Sequence, residues 1–242
     1  MRHPLPIILG ALLVGCAGQQ SPDGTWINQP IIDAAGEGIP LHEALLAHGP
    51  VLEWRLDSQR GLASYSNGFE LPEGRLSAVE PGRWQVDYQD DYQELLELQG
   101  DRLVQQASAY GPEQHFARPA RPVEAGAPLG SSFEWALYQA YLGGRWKIRT
   151  GAGEGGLVLF HADGRVEGLP GAERYALCLA GDCAAMAKEH DSLWLQLGER
   201  GAPWLFERDG DRLRILQAVN QSAPDEVPSY RPGRQAWLLE RD

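Results

Sequence analysis

From Gly24 onward the chain repeats one rhythm: a short apolar stretch, then a break of Gly, Asp, Asn or Pro, about every ten residues. Stretches this short cannot carry the 3.6-residue periodicity of a long amphipathic helix. They specify strands joined by tight turns, and so an all-β sandwich or barrel. Three hairpins are legible. Leu157 to Phe160 and Arg165 to Glu167 flank a turn at Asp163-Gly164; Trp204 to Arg208 and Leu213 to Leu216 flank Asp209-Gly210. Glu94 to Leu98 and Leu103 to Gln105 flank Gln99-Gly100-Asp101. Glycine in these turns supplies the positive φ that a tight reversal needs.

The rhythm occurs twice over. Gly-Asp-Arg-Leu stands at 100–103 and again at 210–213, and a Gly-x-Trp strand opens each half at Gly24-Thr25-Trp26 and Gly144-Arg145-Trp146. The order of opening tryptophan, meander and late hairpin is therefore matched, which points to a structural duplication. Between the halves, 119–131 carries Pro119, Pro122 and Pro128 and reads as a linker, because proline stiffens a chain and lacks a ladder donor. The expected units are a first β domain over 24–118 and a second over 132–242. Each has room for about eight short strands. A short helix is expected in each: Pro40 to His48, with proline at its start, and Ser132 to Leu142, with a serine cap and Gly143-Gly144 at its end. The second helix is apolar nearly all round and should be covered, wedged between the domains.

A Gly-x-Trp strand followed by an antiparallel meander resembles the lipocalin-like small barrels of bacterial envelope lipoproteins. The resemblance implies two tandem antiparallel barrels, with Trp26 and Trp146 as structural residues. The N-terminus points to the same setting. A basic start, a short apolar run from Ile7 and then Leu13-Val14-Gly15-Cys16 resemble a lipoprotein signal with its lipobox. The resemblance implies removal of 1–15, lipidation of Cys16 with diacylglycerol and palmitate-type acyl chains, and 16–23 as a lipidated tether. Ala17 after the cysteine resembles the pattern of outer-membrane sorting, so the expected place is the periplasm-facing side of the outer membrane. The formal net charge of -12 argues against nucleic acid, which needs a basic face.

In an oxidising compartment Cys178 and Cys183 are expected to pair as a small-loop disulfide. The rival reading is a soft-metal site of Cys178, Cys183, Met186 and His190, a donor set suited to Cu(I). It resembles the Cys-x-x-Cys pair of some copper-responsive lipoproteins, but four residues separate these cysteines. His42 and His48 are off metal-pair spacing, and His190-Asp191 is a poor oriented base because chain neighbours rarely face each other. No nucleophile elbow, phosphate loop, zinc-protease or calcium-loop motif occurs, so no cofactor and no enzyme activity is expected. Phe160, Trp194, Trp204 and Phe206 sit at strand positions of the second half. They either fill its core or line an apolar pocket. The expected function is a non-enzymatic, lipid-anchored binding or interaction lipoprotein, for a small apolar ligand or an envelope protein partner. An inhibitor or immunity-type role against a basic toxin or hydrolase, and a metal or envelope-stress sensor at Cys178–Cys183, are the alternatives.

Overall fold

In a computed structural model of the chain, which describes residues 21–88, 92–121, 124 and 126–242, the apolar stretches become two eight-stranded antiparallel sheets. The first comprises β1 (Gly24–Ile27), β2 (Glu53–Asp57), β3 (Leu62–Ser66), β4 (Glu73–Glu80), β5 (Arg83–Asp87), β6 (Gln93–Gln99), β7 (Arg102–Gln105) and β8 (Gln114–Ala117). Each strand pairs with the next, and β8 returns to β1 through Ala117 and Ile27, so this barrel is closed. The second comprises β9 (Gly144–Gly151), β10 (Leu157–Phe160), β11 (Val166–Glu167), β12 (Arg174–Leu177), β13 (Asp191–Leu197), β14 (Arg200–Asp209), β15 (Arg212–Asn220) and β16 (Tyr230–Arg241). Here β16 pairs with β9, and the seam falls between β11 and β12. Two amide bonds bridge it, Val166 N–H to Glu173 O at 2.9 Å and Tyr175 N–H to Gly164 O at 2.7 Å. The second barrel is thus nearly closed. All three hairpins expected from the sequence form.

Period-two alternation decides which side chains meet inside. Trp54 and Leu56 of β2, Trp84 and Val86 of β5 and Leu96 of β6 point into the first barrel and pack with Trp26 and Phe116. In β13 the inward residues are Leu193 and Leu195, which puts Trp194 between them on the outer face, 41% exposed. Trp194 therefore does not join Phe160, Trp204 and Phe206, which lie on the inner side of the same barrel.

The two Gly-x-Trp openings are the same device built twice. Trp26 Nε1 donates to Pro22 O at 2.7 Å and Trp146 Nε1 to Leu142 O at 2.8 Å, in each case four residues back. An arginine from the end of the last strand lies over each indole: the guanidinium carbon of Arg118 is 3.7 Å from the Trp26 ring centre, and that of Arg241 is 4.5 Å from Trp146. Each guanidinium also donates to two carbonyls at the start of its own unit, Thr25 and Ser21 for Arg118, Gly143 and Tyr141 for Arg241. Glycine is required because of this approach. A Cβ on Gly24 would stand 2.8 Å from Arg118 Nη1, one on Gly144 would stand 3.2 Å from Arg241 Nη1, and both residues have φ above +100°. Arg118, which in the sequence opens the proline-rich stretch, is thus the lock that ties the last strand of its barrel to the first.

Among the described residues there are four helices, not two: α1 (Gln29–Gly36), α2 (Leu41–His48), α3 (Ser131–Tyr141) and α4 (Gly181–Ala187). The unanticipated α1 starts at Asn28, whose side chain accepts from Ile31 N–H, with a proline in its first turn. The unanticipated α4 begins between the two cysteines, so Cys183 falls in its first turn. The second half of α3 is helical, and its expected serine cap is absent. Gly130 stands at the cap position and Ser132 Oγ has no partner.

Replacing either arginine tests the lock. Arg241→Ala, at a half-buried site, should cost about 2 kcal/mol and lower Tm by roughly 4–8 °C, and Arg118→Ala, whose guanidinium is exposed, about 1 kcal/mol and roughly 2–4 °C. Lysine should restore little, because it lacks the planar fork. Thermal unfolding curves that overlay the parent would contradict this.

Candidate binding groove at the junction of the barrels

The first four amides of a helix need acceptors from outside it. Neither Pro40 before α2 nor Gly130 before α3 offers one from a side chain. Each helix takes a carboxylate from the other half of the chain. Asp191, the first residue of β13, accepts from Leu41 N–H at 2.7 Å and His42 N–H at 2.8 Å. Glu53, the first residue of β2, accepts from Ser132 N–H at 2.9 Å and Phe133 N–H at 3.0 Å. Negative charge at these positions also meets the positive ends of the helix dipoles. The other end of α1 is served in the opposite sense: Arg208 of β14 donates to Ala35 O at 3.0 Å.

Around these bonds the apolar interior is continuous. One core runs from Trp146, Ile148 and Phe206 in the second barrel, through Phe133, Leu137 and Tyr141 of α3, to Ile31 of α1 and Leu41 of α2. The expected place of α3 between the domains is what the structure shows. Phe160 and Phe206 are buried in this core, and Trp204 is half-buried against Trp237 with ring centres 5.1 Å apart. The aromatics considered as pocket lining therefore pack as core, except Trp194 on the outer face.

Beside α2 the junction leaves a groove of about 290 Å³, lined by Leu45, Leu46, Pro50, Leu52, Leu179 and Ala180. Its rim is apolar and open: Leu46 is 81% exposed and Phe69 64%. The β3–β4 loop and the cysteine segment are tightly apposed there. A Cβ on Gly68 would meet Leu179 and Leu52 at 3.0 Å, and one on Gly181 would collide with the Phe69 ring at 2.4 Å. Cys178 and Cys183 are at disulfide distance, Cα to Cα 5.5 Å, and brace the wall that carries Leu179 and Ala180. With both sulfurs paired, the set of Cys178, Cys183, Met186 and His190 holds no thiolate, and among the described residues no group of three or more His, Cys, Asp or Glu is placed to hold a metal.

His42 Nδ1 lies 2.8 Å from Asp191 Oδ1, and Tyr141 Oη donates to Asp191 Oδ2 at 2.9 Å. This pairs a histidine with a carboxylate through space where the sequence had suggested only the neighbours His190 and Asp191. The carboxylate is fully committed to the amides of α2 and to Tyr141, and His42 lines none of the clefts described here. A second cleft, about 500 Å³, is lined by Arg121, Trp135, Gln139, His161 and Asp163. Two of its lining residues are paired, His161 2.9 Å from Glu167 and Asp163 2.8 Å from Arg165, and Arg121 lies over the Trp135 ring with its guanidinium carbon 4.9 Å from the centre. Cys16 and the lipobox lie outside the described residues.

Burial raises the Glu53 carboxyl above its ordinary range, against the pull of backbone amides and Arg55. Burial, then Glu53 itself, raises Glu134 in the same way. For an acid with a raised folded value, the stabilising contribution is complete below its unfolded pKa, about 4.3, and is lost as pH rises through the folded value. Urea unfolding should therefore show the parent losing stability relative to Glu53→Gln as pH goes from about 4 to 7. A pH-independent difference between the two would contradict this assignment. No family model matches the chain, and no curated protein or solved structure matches it either.

Proposed function

We propose that this chain is a lipid-anchored, periplasm-facing binding lipoprotein of the bacterial outer membrane, without enzymatic activity, whose inter-barrel groove receives an apolar, positively charged segment of a protein partner. The groove carries the reading. Large apolar side chains left in water beside a cavity mark an interaction site more strongly than scattered surface leucines do. Acidic residues adjoin that apolar rim along the chain: Glu43 lies one turn before Leu46 on α2, Glu70 follows Phe69, and Asp182 follows the Gly181 on which Phe69 rests. With a net charge of -12 on the chain, steering favours a cationic partner. An inhibitor or immunity-type role against a basic toxin or hydrolase is a special case of this reading. The anchor rests on Leu13-Val14-Gly15-Cys16, and three acyl chains would exceed what stable membrane attachment requires. A non-enzymatic role is supported by the His42–Asp191 pair at the junction, whose carboxylate is committed to helix capping.

Two measurements check this. A photo-crosslinking residue at Leu46 or Phe69 should capture a discrete envelope protein, while one at exposed Val79 of β4 should not. Phe69→Asp should weaken that complex by about tenfold or more, as loss of an aromatic anchor does. Equal capture from Val79, or an unchanged complex with Phe69→Asp, would contradict the groove assignment, and a co-purified small apolar molecule in its place would transfer the groove to a ligand. Separately, Cys16→Ser should abolish acyl labelling and leave uncleaved precursor; unchanged labelling would contradict the anchor.

A further inference from the structure

A different observation lies at the rim of the first barrel, away from the groove. Four tyrosines form a chain of ring contacts there: Tyr65 to Tyr88 at 6.0 Å, Tyr88 to Tyr92 at 5.0 Å and Tyr92 to Tyr110 at 4.5 Å. The outermost, Tyr110, is 70% exposed. Beneath them Glu94 of β6 faces the interior, opposite Val86 in the ladder and only 2% exposed. Tyr88 is the next inward residue after Val86, diagonal to Glu94, and its N–H bonds Tyr92 O at 2.9 Å. Glu94 Oε1 accepts from the Tyr92 and Ser108 hydroxyls. Glu94 Oε2 and Tyr88 Oη are buried with no hydrogen-bond partner among the described residues. Elsewhere in this barrel Trp54 Nε1 bonds Gln105 Oε1 and Val51 N–H bonds Gln114 Oε1, while Glu53 Oε1, also without a hydrogen-bond partner, has the Arg55 guanidinium 3.7 Å away as a countercharge that Glu94 lacks among the described residues.

Among the described residues this buried carboxylate has two neutral hydroxyls as donors and no countercharge, and a buried charge is costly unless it is paired. Aromatic faces attract cations, most strongly where water is excluded. We propose that the rim of the first barrel is a recognition site for an organic ammonium group, which donates to Glu94 Oε2 and Tyr88 Oη and lies against the tyrosine faces. A bare metal ion suits the site less well. Calcium takes about six to eight oxygen ligands, and two free oxygens stand here beside aromatic carbon. An anion is excluded by Glu94 itself. Burial, with the neighbouring tyrosines and Glu94, also raises the Tyr88 hydroxyl above its ordinary range, so it stays a neutral donor or acceptor toward such a ligand.

The test titrates n-butylammonium chloride, with n-butanol as the uncharged comparison, into the soluble body carrying ¹³C-labelled tyrosine. Saturable shifts of the Tyr88, Tyr92 and Tyr110 ring signals are expected with the ammonium and not with the alcohol. Affinity should fall about tenfold in Glu94→Gln and severalfold in Tyr110→Leu; the latter removes only an exposed wall and keeps the test informative if Glu94→Gln folds poorly. Equal shifts with n-butanol, no saturable shift with the ammonium, affinity unchanged in the variants, or a crystal structure in which one water satisfies both Glu94 Oε2 and Tyr88 Oη in the presence of the ammonium would each overturn the proposal. None of these outcomes depends on the groove partner.

Discussion

Two helices that cannot cap themselves govern how this molecule is put together. The leading amides of α2 and α3 meet no acceptor from Pro40 or Gly130, and leaving such groups buried and unpaired costs about 1–3 kcal/mol each. Asp191 and Glu53 supply the acceptors, each from the opposite half of the chain. Helix formation and domain docking are consequently one event. Neither barrel presents a finished surface to the other; each completes the backbone hydrogen bonding of its neighbour. Arg208 at the C-terminal end of α1 extends the exchange, and the shared apolar core surrounds all three contacts. Tandem domains ordinarily meet through modest polar interfaces and move relative to each other. This arrangement departs from that default because buried charge and buried apolar surface are committed to the same junction.

The groove follows from the junction. One wall is α2, held in place by Asp191. Another is the segment carrying Leu179 and Ala180, tied at Cys178 and Cys183. Between them the β3–β4 loop lays Phe69 on Gly181. The indole–guanidinium locks act elsewhere, tying the last strand of each barrel to its first. The exposed rim residues Leu46 and Phe69 belong to neither lock, whereas Leu52 and Leu179 of the groove wall are also part of the shared core.

Much of the architecture was legible in the sequence, because strand alternation and Asp-Gly turns are local signals. The two Gly-x-Trp openings, the three hairpins and the helices near Leu41 and Ser132 all appear where those signals put them. The paired arginines carry no local signal. Arg118 and Arg241 stand far along the chain from the tryptophans they cover, and Arg118 sits against a proline-rich stretch that suggested a linker. The short α1 has a local signal of its own, an asparagine cap followed by proline. The outward place of Trp194 is not legible, because an aromatic residue in a strand says nothing of which face it takes until the register is known. The groove was illegible for a deeper reason. Leu46, Phe69 and Leu179 come from three separate segments, and only the cross-domain capping brings them together. The Asp191–His42 contact was hidden likewise, by 149 residues of separation.

The central claim is that the two barrels are halves of one cooperative unit. Differential scanning calorimetry of residues 21–242 tests it most directly. Shared capping and a shared core predict a single transition in which the calorimetric and van't Hoff enthalpies agree, a ratio of about 1. Two resolved transitions, or a calorimetric enthalpy about twice the van't Hoff value, would mean that the barrels unfold independently and would contradict the account.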